Sequence, residues 1–174
     1  MLNQLINVLW TVLSFSVVGW YWGDFFAEKR GVWLLCGIVA VSVLVFHIPA
    51  RLISALSISK NPRTYELMGI RVMRWFVQDG TLVNRVHQHL GKRRRVISNL
   101  ANARQYLSKI AVQERYHYSC FVFFTLSALS AVAGGKIEMA LLISMANVIY
   151  NVYPILLQQY NRLRIQRLLN LPGV

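Results

Sequence analysis

Four stretches of this chain are almost free of charge and close to bilayer length: residues 5–22, 32–49, 118–133 and 137–157. Backbone groups in hydrocarbon have no water to bond, so stretches of this kind cross as helices. The chain therefore reads as an all-α integral membrane protein, one membrane domain over residues 1–174 with four transmembrane helices. Charge is segregated accordingly: eleven of the 25 charged residues crowd between Arg63 and Arg104. Trp20-Tyr21-Trp22 closes the first run as an interfacial aromatic belt. The third run is the shortest and borrows the turn before it. Gly134-Gly135-Lys136 then predicts a tight antiparallel hairpin to the fourth.

The formal net charge is +13, from 19 Lys+Arg against 6 Asp+Glu. In a soluble chain that excess would point to nucleic acid. In a membrane chain the expected partners are lipids with anionic headgroups, not nucleic acid. Thirteen Lys/Arg fall in residues 51–115, and Arg162, Arg164 and Arg167 fall in the basic tail 158–174. The short connections hold only Lys29, Arg30 and Lys136. The positive-inside bias then gives a multi-pass protein of the cytoplasmic (inner) membrane with both termini cytoplasmic. No Lys or Arg precedes Asp24 and no small-residue cleavage site follows the first run, so that run is expected to stay as an anchor. Cys36 and Cys120 lie in apolar runs and read as small hydrophobes, and no cluster has metal-ligand spacing, His87-x-His89 included.

Residues 51–115, between the second and third spans, read as a basic cytoplasmic interfacial helical segment. Asn61-Pro62 is a helix start. After it Tyr65, Met68, Val72 and Phe76 share one face, Arg63, Arg71 and Arg74 lie opposite, and Asp79-Gly80 ends the pattern. Such a helix is expected to lie in the interface; the alternative is a short helix packed on the bundle. Lys92-Arg93-Arg94-Arg95 reads as a headgroup contact, since no Gly-rich loop supports a phosphate clamp. From Val96 to about His117 a second helical pattern runs into the third span.

The last span carries a polar stripe. Asn147, Tyr150, Asn151, Pro154, Gln158, Asn161 and Arg162 recur in steps of three and four, so they share a helix face. Polar groups at membrane depth face a bundle interior or a cavity. Glu114-x-x-His117 puts a carboxylate and an imidazole one turn apart at the entrance to the third span. Paired, the carboxylate would orient the ring and His117 would deprotonate a hydroxyl attacking an activated acyl carbon. Alternatively Glu114 pairs with Arg162 or Arg115, and His117 is a hydrogen-bonding interfacial aromatic. Ser119 has no elbow motif around it, which disfavours a serine nucleophile.

The tail motif Gln158-Gln159-Tyr160-Asn161-Arg162-Leu163-Arg164, preceded by Ala146-Asn147-Val148 and Asn151-Val152-Tyr153-Pro154-Ile155, resembles the signature QRYNRPR of the glycosyl-4,4′-diaponeurosporenoate acyltransferases. Glu114-Arg115-Tyr116-His117 is similar to that family's Glu-x-x-His, and Arg74-Trp75-Phe76-Val77 with Asp79-Gly80 is a weaker likeness. The resemblance covers about the C-terminal two thirds. Gln159 and Leu163 stand where the signature has arginine and proline, and Tyr118 where a tryptophan usually follows the histidine. It implies transfer of a fatty acyl group to a sugar hydroxyl of a glycosylated carotenoid or glycolipid, at the cytoplasmic face. The donor would be an acyl thioester, on coenzyme A or an acyl carrier, with no bound cofactor. His117 would be the base and Glu114 its orienting partner. Asn147, Asn151 and Gln158 would be pocket or oxyanion-side donors and Tyr150 and Asn161 further substrate contacts, with Arg162 and Arg164 on carboxylate, phosphate or headgroup. The competing reading is a non-enzymatic subunit of a larger membrane complex, with the stripe as a packing face; the lack of inverted repeats disfavours a transporter. A cavity at His117 with room for a lipid chain separates enzyme from subunit.

Overall fold

The computed structural model describes residues 2–73 and 100–169, and all regular structure within them is helical. In chain order the helices are α1 (Leu2–Ala27), α2 (Trp33–Phe46), α3 (Ala50–Ala55), α4 (Pro62–Leu67), α5 (Ile70–Met73), α6 (Leu100–Ala133), α7 (Ile137–Asn147) and α8 (Tyr153–Leu168). A π-helical turn, Val148–Val152, joins α7 to α8 without a break. The Arg74–Gly80 end of the expected interfacial helix, His87-x-His89, the Lys92–Arg95 run and residues 170–174 of the tail lie outside the described residues.

Among the described residues, three helical stretches are long and apolar enough to cross a membrane: Gln4–Ala27, Ala103–Ala133 and Ile137–Arg167. Of the four expected spans, α2 falls short of that length. Closed by Pro49, α2 has 14 residues and a length of roughly 21 Å, short of a hydrocarbon core of about 30 Å. It packs along α6, where the Ser119 hydroxyl donates to the Ser42 carbonyl at 2.6 Å. The third span gains what α2 lacks, because the helical pattern before His117 and the apolar run after it form one continuous α6. The fourth likewise runs on through the tail motif.

Packing follows the lipid setting. Leu5, Val8, Leu9, Val12 and Leu13 of α1 and Leu141, Leu142 and Met145 of α7 are exposed, an outward apolar surface suited to hydrocarbon. Inward, Val18, Tyr21, Trp22 and Phe25 of α1 meet Phe124, Ala128 and Ala131 of α6 and Ala140 and Ile143 of α7. Only Trp20 of the expected aromatic belt is exposed. Tyr21 and Trp22 enter the core because their polar tips find Ser130 (2.6 Å) and Ser127 (3.2 Å).

The predicted hairpin is present. Gly135 has φ +73, the left-handed conformation such a turn requires, and Lys136 N–H closes it on the Ala131 carbonyl at 2.9 Å. The two short connections meet there, since Glu28 bridges Lys136 (2.6 Å) and Arg30 (2.9 Å).

The interfacial segment departs from expectation. Asn61 caps α4 as read, accepting from Arg63 N–H at 3.1 Å. The helix then breaks at Met68-Gly69, where Gly69 has φ +84. The break turns α5 away from the face that α4 would have continued. Met68 and Val72 are exposed, while Tyr65 and Ile70 are buried against Leu156, Leu157 and Tyr160 of α8. This portion packs on the bundle.

Candidate active site

A cavity of about 490 Å³ opens between α1, α6 and the π-turn–α8 stretch, within the roughly 300–1,000 Å³ range of small-molecule sites. From α6 it is lined by Tyr106, Lys109, Gln113, Tyr116 and His117, spaced as one helical stripe. Ile149, Tyr150, Pro154, Leu157, Gln158 and Asn161 face them, α1 adds Asn7, Trp10 and Thr11, and Met73 of α5 completes the lining. Apolar rings and aliphatic groups thus alternate with amides, hydroxyls and one ammonium.

The π turn sets the far wall. Pro154 has no N–H to offer the Tyr150 carbonyl four residues back, and the ladder takes up an extra residue, with Tyr153 N–H donating to the Val148 carbonyl. Tyr150 and Asn151 sit within this turn, and both are buried. The Tyr150 hydroxyl meets Thr11 Oγ1 at 2.9 Å and the Tyr116 hydroxyl at 3.1 Å.

His117 is held from behind by a row of polar side chains whose direction is fixed at its root. The Phe121 carbonyl can only accept, and it receives Asn147 Nδ2 at 3.2 Å; the same Nδ2 lies 3.0 Å from Thr125 Oγ1. Asn147 must then present Oδ1 to Asn151, whose Nδ2 donates to it at 2.8 Å. Asn151 in turn presents Oδ1 to His117 Nδ1, at a long 3.5 Å. An acceptor facing Nδ1 favours the Nδ1–H tautomer, with the Tyr150 backbone as a second acceptor toward the ring, and in that tautomer Nε2 carries the lone pair. The ring partner is therefore Asn151, where the sequence reading had Glu114.

Glu114 is committed elsewhere. Its side chain is fully buried and pairs with Arg162, while Glu114 Oε1 has no hydrogen-bond partner among the described residues. Arg162 also donates to Ser57 Oγ at 2.5 Å, so the guanidinium ties α8 to α6 and to the segment after α3. It faces away from the cavity. Arg164 is exposed, its guanidinium 5.5 Å from the Tyr160 ring centroid. The buried Gln159 joins this second cluster: Oε1 accepts from Ile58 N–H (3.2 Å) and the Tyr65 hydroxyl (3.0 Å), and Nε2 donates to the Tyr118 hydroxyl (3.0 Å).

The predicted stripe thus divides. Tyr150, Gln158 and Asn161 line the cavity with His117; Asn147 and Asn151 stand behind it; Glu114, Arg162 and Arg164 lie outside its lining. The sequence reading missed the α1 wall and the Tyr106–Tyr116 stripe. Asn7 and Thr11, one turn apart inside an uncharged, largely apolar span, carry the same signal that exposes the stripe on the last helix.

A comparison with curated proteins found no match, and one with solved structures found none either. The model of one family, glycosyl-4,4′-diaponeurosporenoate acyltransferase, matches residues 49–171 and so takes in α6, the π turn and the tail motif. With residues 49–171 of its 174 matched, the chain belongs to the glycosyl-4,4′-diaponeurosporenoate acyltransferase family.

Proposed function

We propose that the protein transfers a fatty acyl group from an acyl thioester to a sugar hydroxyl of a membrane glycolipid or glycosylated carotenoid, at the cytoplasmic face. The observation that carries this reading is His117 on the cavity wall, its Nδ1 turned to Asn151 and its Nε2 left as a base. A neutral imidazole in that tautomer takes the proton of the attacking hydroxyl and returns it to the departing thiolate. Trp10, Ile149, Leu157 and Met73 offer apolar surface for a lipid chain, and Gln113, Gln158 and Asn161 offer amides for a sugar. Lys109 supplies the positive charge an anionic donor would meet. The basic bias of residues 51–115 supports placing this end in the cytoplasm, against anionic headgroups.

A subunit whose stripe served packing alone would fill it with side chains. Asn147 and Asn151 are filled in this way, but the His117–Gln158–Asn161 end is open. The test is acyl transfer by the purified protein in lipid, given a fatty acyl thioester and a glycolipid acceptor. His117→Ala and His117→Gln should lower kcat by about 10²–10⁴-fold, the usual worth of a general base, with thermal unfolding unchanged. Undiminished transfer by a folded His117→Ala protein would remove His117 from the chemistry.

A further inference from the structure

Three hydroxyls from three parts of the chain meet beside His117. Thr11, Tyr150 and Tyr116 form a row with separations of 2.9 and 3.1 Å, and all three residues line the cavity. Both tyrosine rings stand edge-on to the imidazole, with centroids 5.2 Å (Tyr116) and 5.8 Å (Tyr150) away. Thr11 comes from α1, outside the residues that match the family.

A row of three hydroxyls carries three protons and closes two internal bonds, so one proton is left to donate outward. The Cys120 thiol, beside the Tyr116 hydroxyl, adds one proton and one contact and leaves that remainder unchanged. Of the row's two ends, Thr11 is half-buried and Tyr116 is 40% exposed, which makes Tyr116 the end more open to the cavity. With Thr11 donating to Tyr150 and Tyr150 to Tyr116, each bond polarises the next, and the outward Tyr116 O–H becomes the stronger donor.

We infer that the Thr11–Tyr150–Tyr116 row stabilises the oxyanion of the acyl-transfer step, a role that rests on the reading of His117 as its base. The acceptor oxygen forms a bond to the thioester carbon as its proton passes to His117 Nε2. The carbonyl π pair moves onto oxygen, where the Tyr116 O–H meets it. On collapse that pair re-forms the carbonyl, the C–S bond breaks, and the imidazolium returns its proton to the thiolate. Ester and thiol are the only products. Tyr116 is the donor, and Tyr150 and Thr11 position and polarise it.

The test uses the full chain in lipid with a fatty acyl thioester and a glycolipid acceptor. Tyr116→Phe should lower kcat by about 10²–10³-fold, as loss of one oxyanion donor does, with KM nearly unchanged. Tyr150→Phe should lower kcat in the same direction, and the Tyr116→Phe/Tyr150→Phe pair should be no worse than the worse single change, because the row acts as a unit. Thr11→Val should cost on the order of tenfold, the net worth of one hydrogen bond, and Thr11→Ser should restore the rate. A fatty trifluoromethyl ketone, whose hydrate mimics the tetrahedral oxyanion, should bind wild type tightly and lose that advantage in Tyr116→Phe. Wild-type kcat in folded Tyr116→Phe, losses confined to KM, or losses that multiply in the double variant would each overturn the inference while leaving the His117 reading intact. Failure of wild type to transfer, or full activity in His117→Ala, would sink the acyl-transfer reading and the row with it.

Discussion

Glu114 and Arg162 form an ion pair buried between α6 and α8, with side-chain exposures of 0% and 8%. Desolvating both charges consumes most of their attraction, so such a pair adds little net stability, but leaving one member unpartnered is costly. Arg162→Ala or Glu114→Ala should therefore destabilise the protein by about 3–5 kcal/mol, and Glu114→Leu/Arg162→Met should recover most of that loss. Unfolding in detergent measures both. If the double change were as damaging as the worse single one, the pair would have a role beyond mutual neutralisation.

The pair also shows how far the sequence could be read. Period and charge exposed the long apolar helices, the hairpin at Gly134-Gly135, the cap at Asn61 and the polar face of the last helix, because each is a local rule. Which face partners met was not local. Glu114 and His117 are one turn apart, and spacing alone cannot tell a carboxylate turned to its neighbour from one turned to Arg162, 48 positions on. The π turn decides part of this, since its extra residue brings Asn151 onto His117, and Pro154 marks a broken ladder in the sequence without saying how the ladder adjusts. The apolar run 32–49 exceeds α2 because the helix ends at Phe46, and His47, Ile48 and Pro49 are apolar or uncharged residues that leave it. The continuous face of Tyr65, Met68 and Val72 was overread because Gly69 takes a conformation that a period cannot show.

Gln159 and Tyr118 are two of the positions at which the chain departs from the resembling motif, and they touch: Gln159 Nε2 donates to the Tyr118 hydroxyl at 3.0 Å. Gln159→Arg removes the acceptor of the Ile58 N–H and the Tyr65 hydroxyl, and Tyr118→Trp leaves Gln159 Nε2 with the Leu56 carbonyl at 3.4 Å in place of a good partner. Gln159→Arg also brings a second guanidinium close to Arg162, three residues along the same helix face. Each single change, Gln159→Arg or Tyr118→Trp, should destabilise the protein. The pair together should cost less than the sum, with a coupling of about 0.5–3 kcal/mol. A double-mutant cycle by thermal unfolding reads this directly, and strict additivity would mean that the two positions are independent.

Glu66 titrates outside the membrane spans. The Tyr160 hydroxyl, bonded to it at 2.9 Å, and Arg71 at 2.5 Å hold its carboxyl below the ordinary 4.5. A carboxyl depressed on folding stabilises the native state above its unfolded value, and that contribution is lost as pH falls through the folded value. Wild type should lose a small increment of thermal stability on acidification below about pH 4.5 that Glu66→Gln does not lose. The group is near the surface, so added salt should shrink the difference. Parallel pH profiles for the two proteins would show that the carboxylate does not help dock α4 on α8.

Asn151 offers the sharpest separation of orientation from packing. It is buried, and it connects the Asn147 amide to the His117 ring. Asn151→Leu keeps most of the volume but removes the acceptor that selects the Nδ1–H tautomer, so imidazoles with a protonated, inactive Nε2 become populated. The change should lower kcat toward the low end of the roughly 10²–10⁴-fold range for general-base loss, with little effect on KM. It also strands the Asn147 carbonyl oxygen, so stability should fall by about 1–3 kcal/mol. Asn151→Asp restores an acceptor to His117 while still stranding Asn147. It should therefore regain much of the rate without regaining the stability. The ring's nitrogen-15 shifts in wild type and Asn151→Leu would report the tautomer itself, and an unchanged spectrum in the leucine variant would show that Asn151 does not choose it.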